Sequence, residues 1–198
     1  MAAPKLYYWG IRARGQLSVL VGTFSGQPFD WERNPEWPGL KPQTPFGQLP
    51  FLVDGDVKVA QSNAIARYLG RKYGLQGDTD ADFALSEILI EEQVDLLNIL
   101  FKANYSADKA AAFDKAFAEE FPAQLAYLEN LLNSDFFTSK VTTGSLAIFS
   151  ALNLALDLEP TALDKFPKLK AFYDRVAALD AIKGYLAQNI PAYLKRTN

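Results

Sequence analysis

Residues 49–75 read LPFLVDGDVKVAQSNAIARYLGRKYGL, and this stretch decides the fold of the first part of the chain. Two short apolar runs flank Asp54-Gly55, a dipeptide that favours the tight turn of a β-hairpin. Ser62 is the predicted N-cap of a helix, because apolar residues at helical spacing follow it as far as Tyr73-Gly74. The stretch therefore predicts an antiparallel hairpin followed by a helix.

The segment before the hairpin predicts two more strands on either side of a helix. Lys5 to Trp9 is typical of a strand, and Phe29 to Arg33 is typical of a second one. Between them, apolar residues recur at helical spacing from Leu17 to Phe24, and Gly26 supplies a C-cap. A strand, a helix and a strand within about thirty residues imply a parallel pair with a right-handed crossover. The order βαβ, then ββα, describes a small α/β domain.

The chain changes character after Gly74, where two glycines among polar residues indicate a domain boundary. Beyond it the apolar residues follow only helical spacing, and the third of three helical patterns is apolar on all sides, so we expect it to be central. Pro160, Pro167 and Pro191 separate the remaining segments. The sequence thus predicts an α/β domain over residues 1–75, a linker over 76–80 and an all-α bundle over 81–198. The three helical patterns are Phe83, Ile88, Leu89, Leu96, Ile99 and Leu100; Phe113, Phe117, Phe121, Leu125, Leu128 and Leu132; and Leu146, Phe149, Leu152 and Leu156.

Composition excludes several classes of function. Of the 198 residues 49% are hydrophobic and 22% are charged, which is typical of a globular protein. The chain has no Cys and no His, so disulfides, Cys or Ser-His nucleophilic catalysis and most zinc and haem sites are excluded, and no metal is expected. A net charge of −3 is the wrong balance for a domain that binds nucleic acid.

No membrane segment is expected either. The longest uncharged stretch, Gly144 to Leu156, is shorter than the roughly twenty residues that a membrane-spanning helix needs. The first residues, MAAPKLYYWGIRARG, lack the pattern of a secretory signal. We therefore expect a cytoplasmic protein with no membrane partner.

Three features of the first domain could carry chemistry, and each has an ordinary alternative. Tyr7-Tyr8 ends the first predicted strand, where α/β folds build sites, but aromatic residues there are more often core packing. Pro50 interrupts a strand-like run; it is either a cis-proline that turns the backbone of Leu49 toward a ligand or an ordinary edge proline. Gln61-Ser62 begins a helix, and its free N–H groups suit a carboxylate, although plain capping is commoner.

Together these features resemble one family. The run WPGLKPQTPFGQLPFLVDGDVKVAQSNAIARYLGRKYGL, with LYYWGIRARG before it, is similar to the cytosolic glutathione S-transferases of the tyrosine type, the sigma and pi classes especially. The resemblance implies a thioredoxin-like, glutathione-binding domain before the all-helical one. It also implies a homodimer that uses glutathione as co-substrate and takes small hydrophobic electrophiles.

The resemblance assigns roles residue by residue. Tyr8 corresponds to the catalytic tyrosine and Arg14 to the arginine that supports it, while Asp95 would reach across the dimer to the neighbouring site. The positions that correspond to the glutathione-binding set are Tyr8, Trp37, Lys41, Gln48, Leu49, Pro50, Gln61, Ser62 and Asp95.

The remaining roles concern the second substrate and the dimer. Phe46 stands where pi-like members carry an aromatic key that inserts into the partner subunit. Ser145 stands where many members carry the Asp of a capping box, which predicts a weaker cap. The candidates for the second-substrate pocket are Trp9, Arg12, Phe101, Asn104 and Tyr105, with Ile190, Tyr193 or Leu194 as a lid.

The implied activity is glutathione conjugation, with peroxidase or isomerase side activity as a further expectation. Because the chain has no Cys, it does not belong to the cysteine-type branch of the family. Two alternatives stay open: a non-catalytic descendant that acts as a structural, crystallin-like or ligand-binding protein, and a protein-interaction module that uses the same fold.

Overall fold

The computed structural model describes residues 2–196 and begins with a four-stranded mixed sheet in the order β2-β1-β3-β4. The first two strands are parallel, and the hairpin of the last two pairs antiparallel with β1. Gly55, in the hairpin turn, has a φ of 59°, a conformation that glycine adopts without strain. The strands are β1 (Lys5–Tyr7), β2 (Asp30–Glu32), β3 (Phe51–Asp54) and β4 (Val57–Ala60).

Three helices accompany the sheet. Helices α1 (Gln16–Phe24) and α3 (Ser62–Lys72) pack against each other through buried apolar residues, as their spacing predicts. The short α2 (Trp37–Leu40), which continues into a 3₁₀ turn over Lys41–Gln43, was not predicted. The predicted order βαβ, then ββα, is confirmed.

The predicted N-cap of α3 is wrong by one residue. Gln61 occupies the cap position with a φ of 74° and makes no capping bond through its side chain, while Ser62 is the first residue of the helix. A positive φ at a residue other than glycine costs free energy, and such conformations are concentrated at binding sites. The Ser62 hydroxyl therefore stands in the first turn of the helix.

The second half is helical, as predicted. Its second predicted helix is divided, because a π-helical turn over Ala116–Glu120 separates α5 from α6. Almost every residue of α7 is buried, which confirms its predicted central place. The helices are α4 (Asp80–Asn104), α5 (Lys109–Lys115), α6 (Phe121–Leu131), α7 (Thr143–Leu158), α8 (Pro167–Ala177) and α9 (Asp180–Leu186).

The start of α7 joins the two halves. Thr142 and Ser145 form a complete capping box, so Ser145 caps the helix although it carries no charge. The N–H of Thr143 donates to the carbonyl of Leu75 at 2.8 Å, just beyond the end of α3. Within residues 2–196, no helix is long and apolar enough to cross a membrane.

Candidate functional site

Tyr8 directly follows β1 and is fixed on three sides. Its N–H donates to the carbonyl of Glu32 at 3.1 Å, and the indole Nε1 of Trp31 donates to its carbonyl at 3.1 Å. Its ring packs on Gly15, where an added Cβ would overlap the ring. The backbone of Gly15 has a φ of −80°, which any residue adopts, so the glycine is needed for the space that it leaves. The side chain of Tyr8 is 6% exposed.

The phenol of Tyr8 is protonated at neutral pH. Burial raises its pKa above the ordinary value of 10.0, although the N–H groups of Gly15 and Arg14 and the charge of Arg14 act in the opposite direction. A protonated phenol can donate a hydrogen bond to an anion in the adjoining space.

Tyr8 opens on a cavity of about 390 Å³ that we call the aromatic cavity. Trp9 and Trp37 meet edge to face with their ring centroids 6.4 Å apart, and Phe101 stacks on Tyr105 at 6.3 Å. Such a lining is typical of a site for small apolar molecules. The cavity is lined by Tyr8, Trp9, Ile11, Ala13, Arg14, Trp37, Gln48, Leu49, Phe101, Tyr105 and Tyr193.

A second cavity of about 270 Å³, here the polar cavity, adjoins the first. The two share Arg14, Gln48 and Leu49 as a common wall. The Leu49–Pro50 peptide bond is cis, the geometry that the sequence left open. The polar cavity is lined by Arg14, Phe46, Gln48, Leu49, Pro50, Ala60, Gln61 and Ser62.

The polar cavity ends at the beginning of α3. The N–H groups of the first turn have no partner within the helix, whose first backbone bond runs from Ile65 to the carbonyl of Gln61 at 2.9 Å. These N–H groups and the helix dipole favour a negative charge, and Ser62, the first residue of the helix, lines the cavity there. This end of the cavity is suited to a carboxylate.

Arg14 lies between the two cavities. Its guanidinium carbon is 4.8 Å from the centroid of the Phe101 ring, a cation–π contact. Among the described residues it forms no ion pair, so its positive charge faces both cavities uncompensated. A ligand anion in either cavity would be stabilised by it.

The structure brings most of the predicted site residues to these two cavities: Tyr8, Trp9, Arg14, Trp37, Phe46, Gln48, Leu49, Pro50, Gln61, Ser62, Phe101 and Tyr105. Lys41 is exposed and lies beside Gly47, outside both linings. Asp95 is on the exposed side of α4, also outside them. The roles assigned to the individual residues stay predictions.

Two residues predicted for the second-substrate pocket lie elsewhere. Arg12 turns away from the aromatic cavity, because its guanidinium binds Asn153 and Asp157 of α7. Asn104 is buried, and its side-chain oxygen accepts a hydrogen bond from the N–H of Lys195 at 3.2 Å. Both polar groups are thereby used within the protein.

Of the three predicted lid residues, one lines the aromatic cavity and two do not. Tyr193 lines the aromatic cavity, but Ile190 faces a different one and Leu194 belongs to the core. Sequence reasoning missed Ile11, Ala13 and Ala60, which show no periodic pattern, and it missed the contact of Gly15 with Tyr8. A glycine just before a helix was the only sequence signal for that contact.

Two family models match most of the chain. A family model described as the N-terminal domain of glutathione S-transferase matches residues 5–71, and one described as the C-terminal domain matches residues 94–189. Within residues 2–196, no group of three or more His, Cys, Asp or Glu is placed to hold a metal ion.

Individual relatives cover nearly the whole chain. The probable glutathione S-transferase 6 of Caenorhabditis elegans is 32% identical over 98% of this chain and 99% of its own. The glutathione S-transferase Mu 4 of Mus musculus is 32% identical over 91% of this chain and 89% of its own. Among solved structures, the pi-class glutathione S-transferase of Onchocerca volvulus has a TM-score of 0.87 and 29% identity, with 99% of this chain and 98% of that one covered.

Proposed function

The chain belongs to the glutathione S-transferase family, and we propose that Tyr8 is the residue with which it holds the glutathione thiol in its anionic form. Its activity is the transfer of glutathione to small hydrophobic electrophiles. One observation carries the proposal for Tyr8: its buried, protonated phenol lines the aromatic cavity, which shares Arg14, Gln48 and Leu49 with the polar cavity.

The energetics fit a single hydrogen bond. A free thiol has a pKa of about 8.5, so only about 3% of it is thiolate at pH 7, and the thiolate is the nucleophile. Lowering that pKa by about two units requires about 2.7 kcal/mol of stabilisation of the anion over the thiol. A hydrogen bond to a charged acceptor contributes about 1.5–3 kcal/mol. Tyr8 therefore acts as a donor to the sulfur and not as a base, and Arg14 adds its charge nearby.

The polar cavity would orient the tripeptide. The carboxylate of the γ-glutamyl residue of glutathione fits the first turn of α3 beside Ser62 and Gln61. The backbone of Leu49, which lies between the two cavities, fits the peptide groups of the cysteinyl residue. Trp37 and Gln48 are then left for the glycyl end, with Lys41 close by.

The aromatic cavity would take the electrophile. Trp9, Phe101 and Tyr105 give it apolar walls, and Tyr8 places the sulfur at its edge. A volume of about 390 Å³ suits a small molecule. Peroxidase or isomerase activity at the same place stays a prediction.

Assembly and class form a further part of the proposal: a cytoplasmic homodimer of the sigma or pi type. Phe46, the proposed key, is 63% exposed, and Ile88 of α4 is an exposed apolar residue as well. The exposed Asp95 is available to a second copy of the chain. The likeness to the pi-class structure supports this class.

The test for Tyr8 is the Tyr8→Phe variant, which keeps the ring and removes the donor. We expect glutathione binding to remain nearly unchanged and turnover at neutral pH to fall about ten- to a hundredfold, which corresponds to the loss of one charged hydrogen bond. Steady-state kinetics and calorimetric titration with glutathione measure the two effects. Unchanged turnover would contradict the assigned role.

A non-catalytic descendant and a protein-interaction module make different predictions. The first predicts retention on immobilised glutathione without turnover of any common electrophile, whereas the second predicts no retention. We expect both retention and turnover from the wild-type protein.

A further inference from the structure

The residues that follow α9 form part of the aromatic cavity. We call residues 190–194 the C-terminal strap. Tyr193 of the strap lines the cavity, and its hydroxyl lies 3.3 Å from that of Tyr105. Its ring centroid is 6.4 Å from that of Phe101. The position of the strap therefore decides the shape of the cavity and the place of a hydroxyl in its wall.

The backbone of one residue, Arg12, holds the middle of the strap. The N–H of Arg12 donates to the carbonyl of Pro191 at 2.8 Å, and the N–H of Tyr193 donates back to the carbonyl of Arg12 at 3.0 Å. Arg12 and Ala192 thus form a single parallel bridge. Ile190 and Leu194 are buried at the two ends, so the strap is fixed by its ends and by residue 12.

The side chain of Arg12 ties the same strap to α7. Its Nε donates to the carbonyl of Ile190 at 2.8 Å, and its Nη1 donates to the Oδ1 of Asn153 at 2.6 Å. Its Nη2 forms an ion pair with Asp157. All three nitrogens are therefore used, and only 14% of the side chain is exposed. A planar group with several fixed donors is suited to joining three partners at once.

Asn153, one of the two acceptors on α7, is itself held in place. Asn153 Oδ1 also accepts from Gln16 Nε2 at 3.0 Å, and Asn153 Nδ2 donates to the hydroxyl of Tyr173 at 3.0 Å. A network of this kind, little exposed to water, favours one arrangement of its members. The guanidinium of Arg12 thus fixes the strap relative to rigid elements of both halves.

We propose that Arg12 is a positioning residue for the electrophile: clamped by Asp157 and Asn153, it sets the place of Tyr193 in the aromatic cavity. This inference rests on the proposed function, because it takes the aromatic cavity as the electrophile site. The clamp does not line the polar cavity. It should therefore govern the electrophile and leave glutathione binding and the thiol pKa unaffected.

The primary test compares Arg12→Gln and Asp157→Asn with the wild-type protein. With chlorodinitrobenzene, an aromatic electrophile that can stack on the aromatic side chains of the cavity wall, we expect the KM to rise about fivefold in both variants. With acrolein, a much smaller electrophile without an aromatic ring to stack on that wall, the KM should not change. The KM for glutathione and the pKa of its bound thiol should also stay at the wild-type values.

Arg67→Gln is the matched control. Arg67 of α3 pairs with Glu87 and Glu91 of α4, so it also joins the two halves of the chain, but it does not touch the strap. We expect both KM values to be unchanged in this variant. An equal rise of the chlorodinitrobenzene KM in Arg67→Gln would mean that any weakening of the junction has this effect, and would overturn the proposal.

A double-mutant cycle separates positioning from a general loss of order. Once Tyr193→Ala has removed the side chain that Arg12 positions, adding Arg12→Gln should raise the chlorodinitrobenzene KM no further. Hydrogen exchange at the N–H of Tyr193 should also be faster in Arg12→Gln than in the wild-type protein. If Arg12→Gln raises the chlorodinitrobenzene KM by the same factor whether or not Tyr193→Ala is present, the proposal is overturned.

The outcomes distinguish this inference from the proposed function. If Arg12→Gln does not fold, Asp157→Asn, which keeps a hydrogen-bonding side chain, decides alone. If neither variant changes the chlorodinitrobenzene KM while Tyr8→Phe still raises the thiol pKa, the proposed positioning role of Arg12 is wrong. The role of Tyr8 is then unaffected. If Tyr8→Phe leaves the thiol pKa unchanged, the proposed role of Tyr8 is wrong whatever Arg12 does.

Discussion

Tyr8 and Ser62 line different cavities of the site, and their hydroxyl groups would have separate tasks. The phenol of Tyr8 faces the aromatic cavity, where it would act on the sulfur. Ser62 lines the polar cavity at the start of α3, where its hydroxyl would act on the γ-glutamyl carboxylate. Each can be removed without adding bulk, so substitution can separate chemistry from binding.

Ser62→Ala should weaken glutathione binding without changing how strongly the protein stabilises the bound thiolate. Loss of one hydrogen bond to a carboxylate costs about 1.5 kcal/mol or more, so we expect the KM for glutathione to rise about tenfold. The pKa of the bound thiol should stay at its wild-type value. Ser25→Ala removes a hydroxyl bonded within the same domain, to the carbonyl of Gly22, and should change neither quantity. A raised thiol pKa in Ser62→Ala would contradict the separation of tasks.

The sequence predicts the place of a side chain well where a local rule decides it. It predicts that place poorly where partners distant in the sequence decide it. The place of Tyr8 follows from its position at the end of a strand. The direction of Arg12 does not, because it is decided by Asn153 and Asp157, about 140 residues further along the chain. Gly15 shows the same limit, since only the folded chain brings the ring of Tyr8 against it.

At the scale of elements, α4 and α7 approach each other closely at the start of α7. A Cβ added at Gly144 would lie 2.7 Å from the Cα of Ser86 and 2.9 Å from its carbonyl carbon. Both atoms belong to the backbone of α4, which cannot move aside as a flexible side chain can. The N–H of Gly144 also donates to the hydroxyl of Ser86 at 3.0 Å. The glycine thus allows two backbones to meet.

Gly144→Ala should therefore destabilise the protein. Overpacking of a tight contact costs about 1–3 kcal/mol, and we expect a loss of that size in the free energy of unfolding. Gly184→Ala is the control, because a Cβ there meets nothing within 4 Å and the residue lies inside α9. Gly184→Ala should leave the free energy of unfolding unchanged or raise it by up to about 1 kcal/mol. Denaturant unfolding of both variants measures the difference, and equal stability of the two would refute the packing argument.

The elements themselves were predictable where the pattern was long or the turn distinctive. The hairpin follows from Asp54-Gly55, and α4 and α7 follow from their apolar spacing. The four-residue α2 escaped because its sequence, WPGL, contains both Pro and Gly, which normally mark turns. The π-helical turn over Ala116–Glu120 escaped because the aromatic residues around it keep helical spacing on both sides.

At the scale of the whole molecule, the site depends on both halves of the chain. Tyr8, Leu49 and Ser62 come from the first half, whereas Phe101, Tyr105 and Tyr193 come from the second. The two halves meet at α7 through Thr143 and through the clamp around Arg12. Phe46 and Asp95 are exposed and lie outside that junction, where a second copy of the chain would contact them in the proposed dimer.

Phe46→Ser should weaken the proposed dimer. An aromatic side chain that inserts into a partner commonly contributes 2 kcal/mol or more, so we expect the dissociation constant of the dimer to rise about tenfold or more. Tyr127→Ser replaces another exposed aromatic side chain, on α6, and should leave the dissociation constant of the dimer unchanged. Sedimentation equilibrium measures both. A dimer of unaltered strength in Phe46→Ser would remove Phe46 as the key.

The pKa of the enzyme-bound glutathione thiol is the most direct measurement of the role of Tyr8. It is obtained from the ultraviolet absorbance of the thiolate, titrated with pH in the wild-type protein and in Tyr8→Phe. Because the phenol donates to the anion, we expect the wild-type value to lie about two units below the free thiol and the variant to recover one to two of those units. A thiol that titrates at the same pH in both proteins would contradict the account.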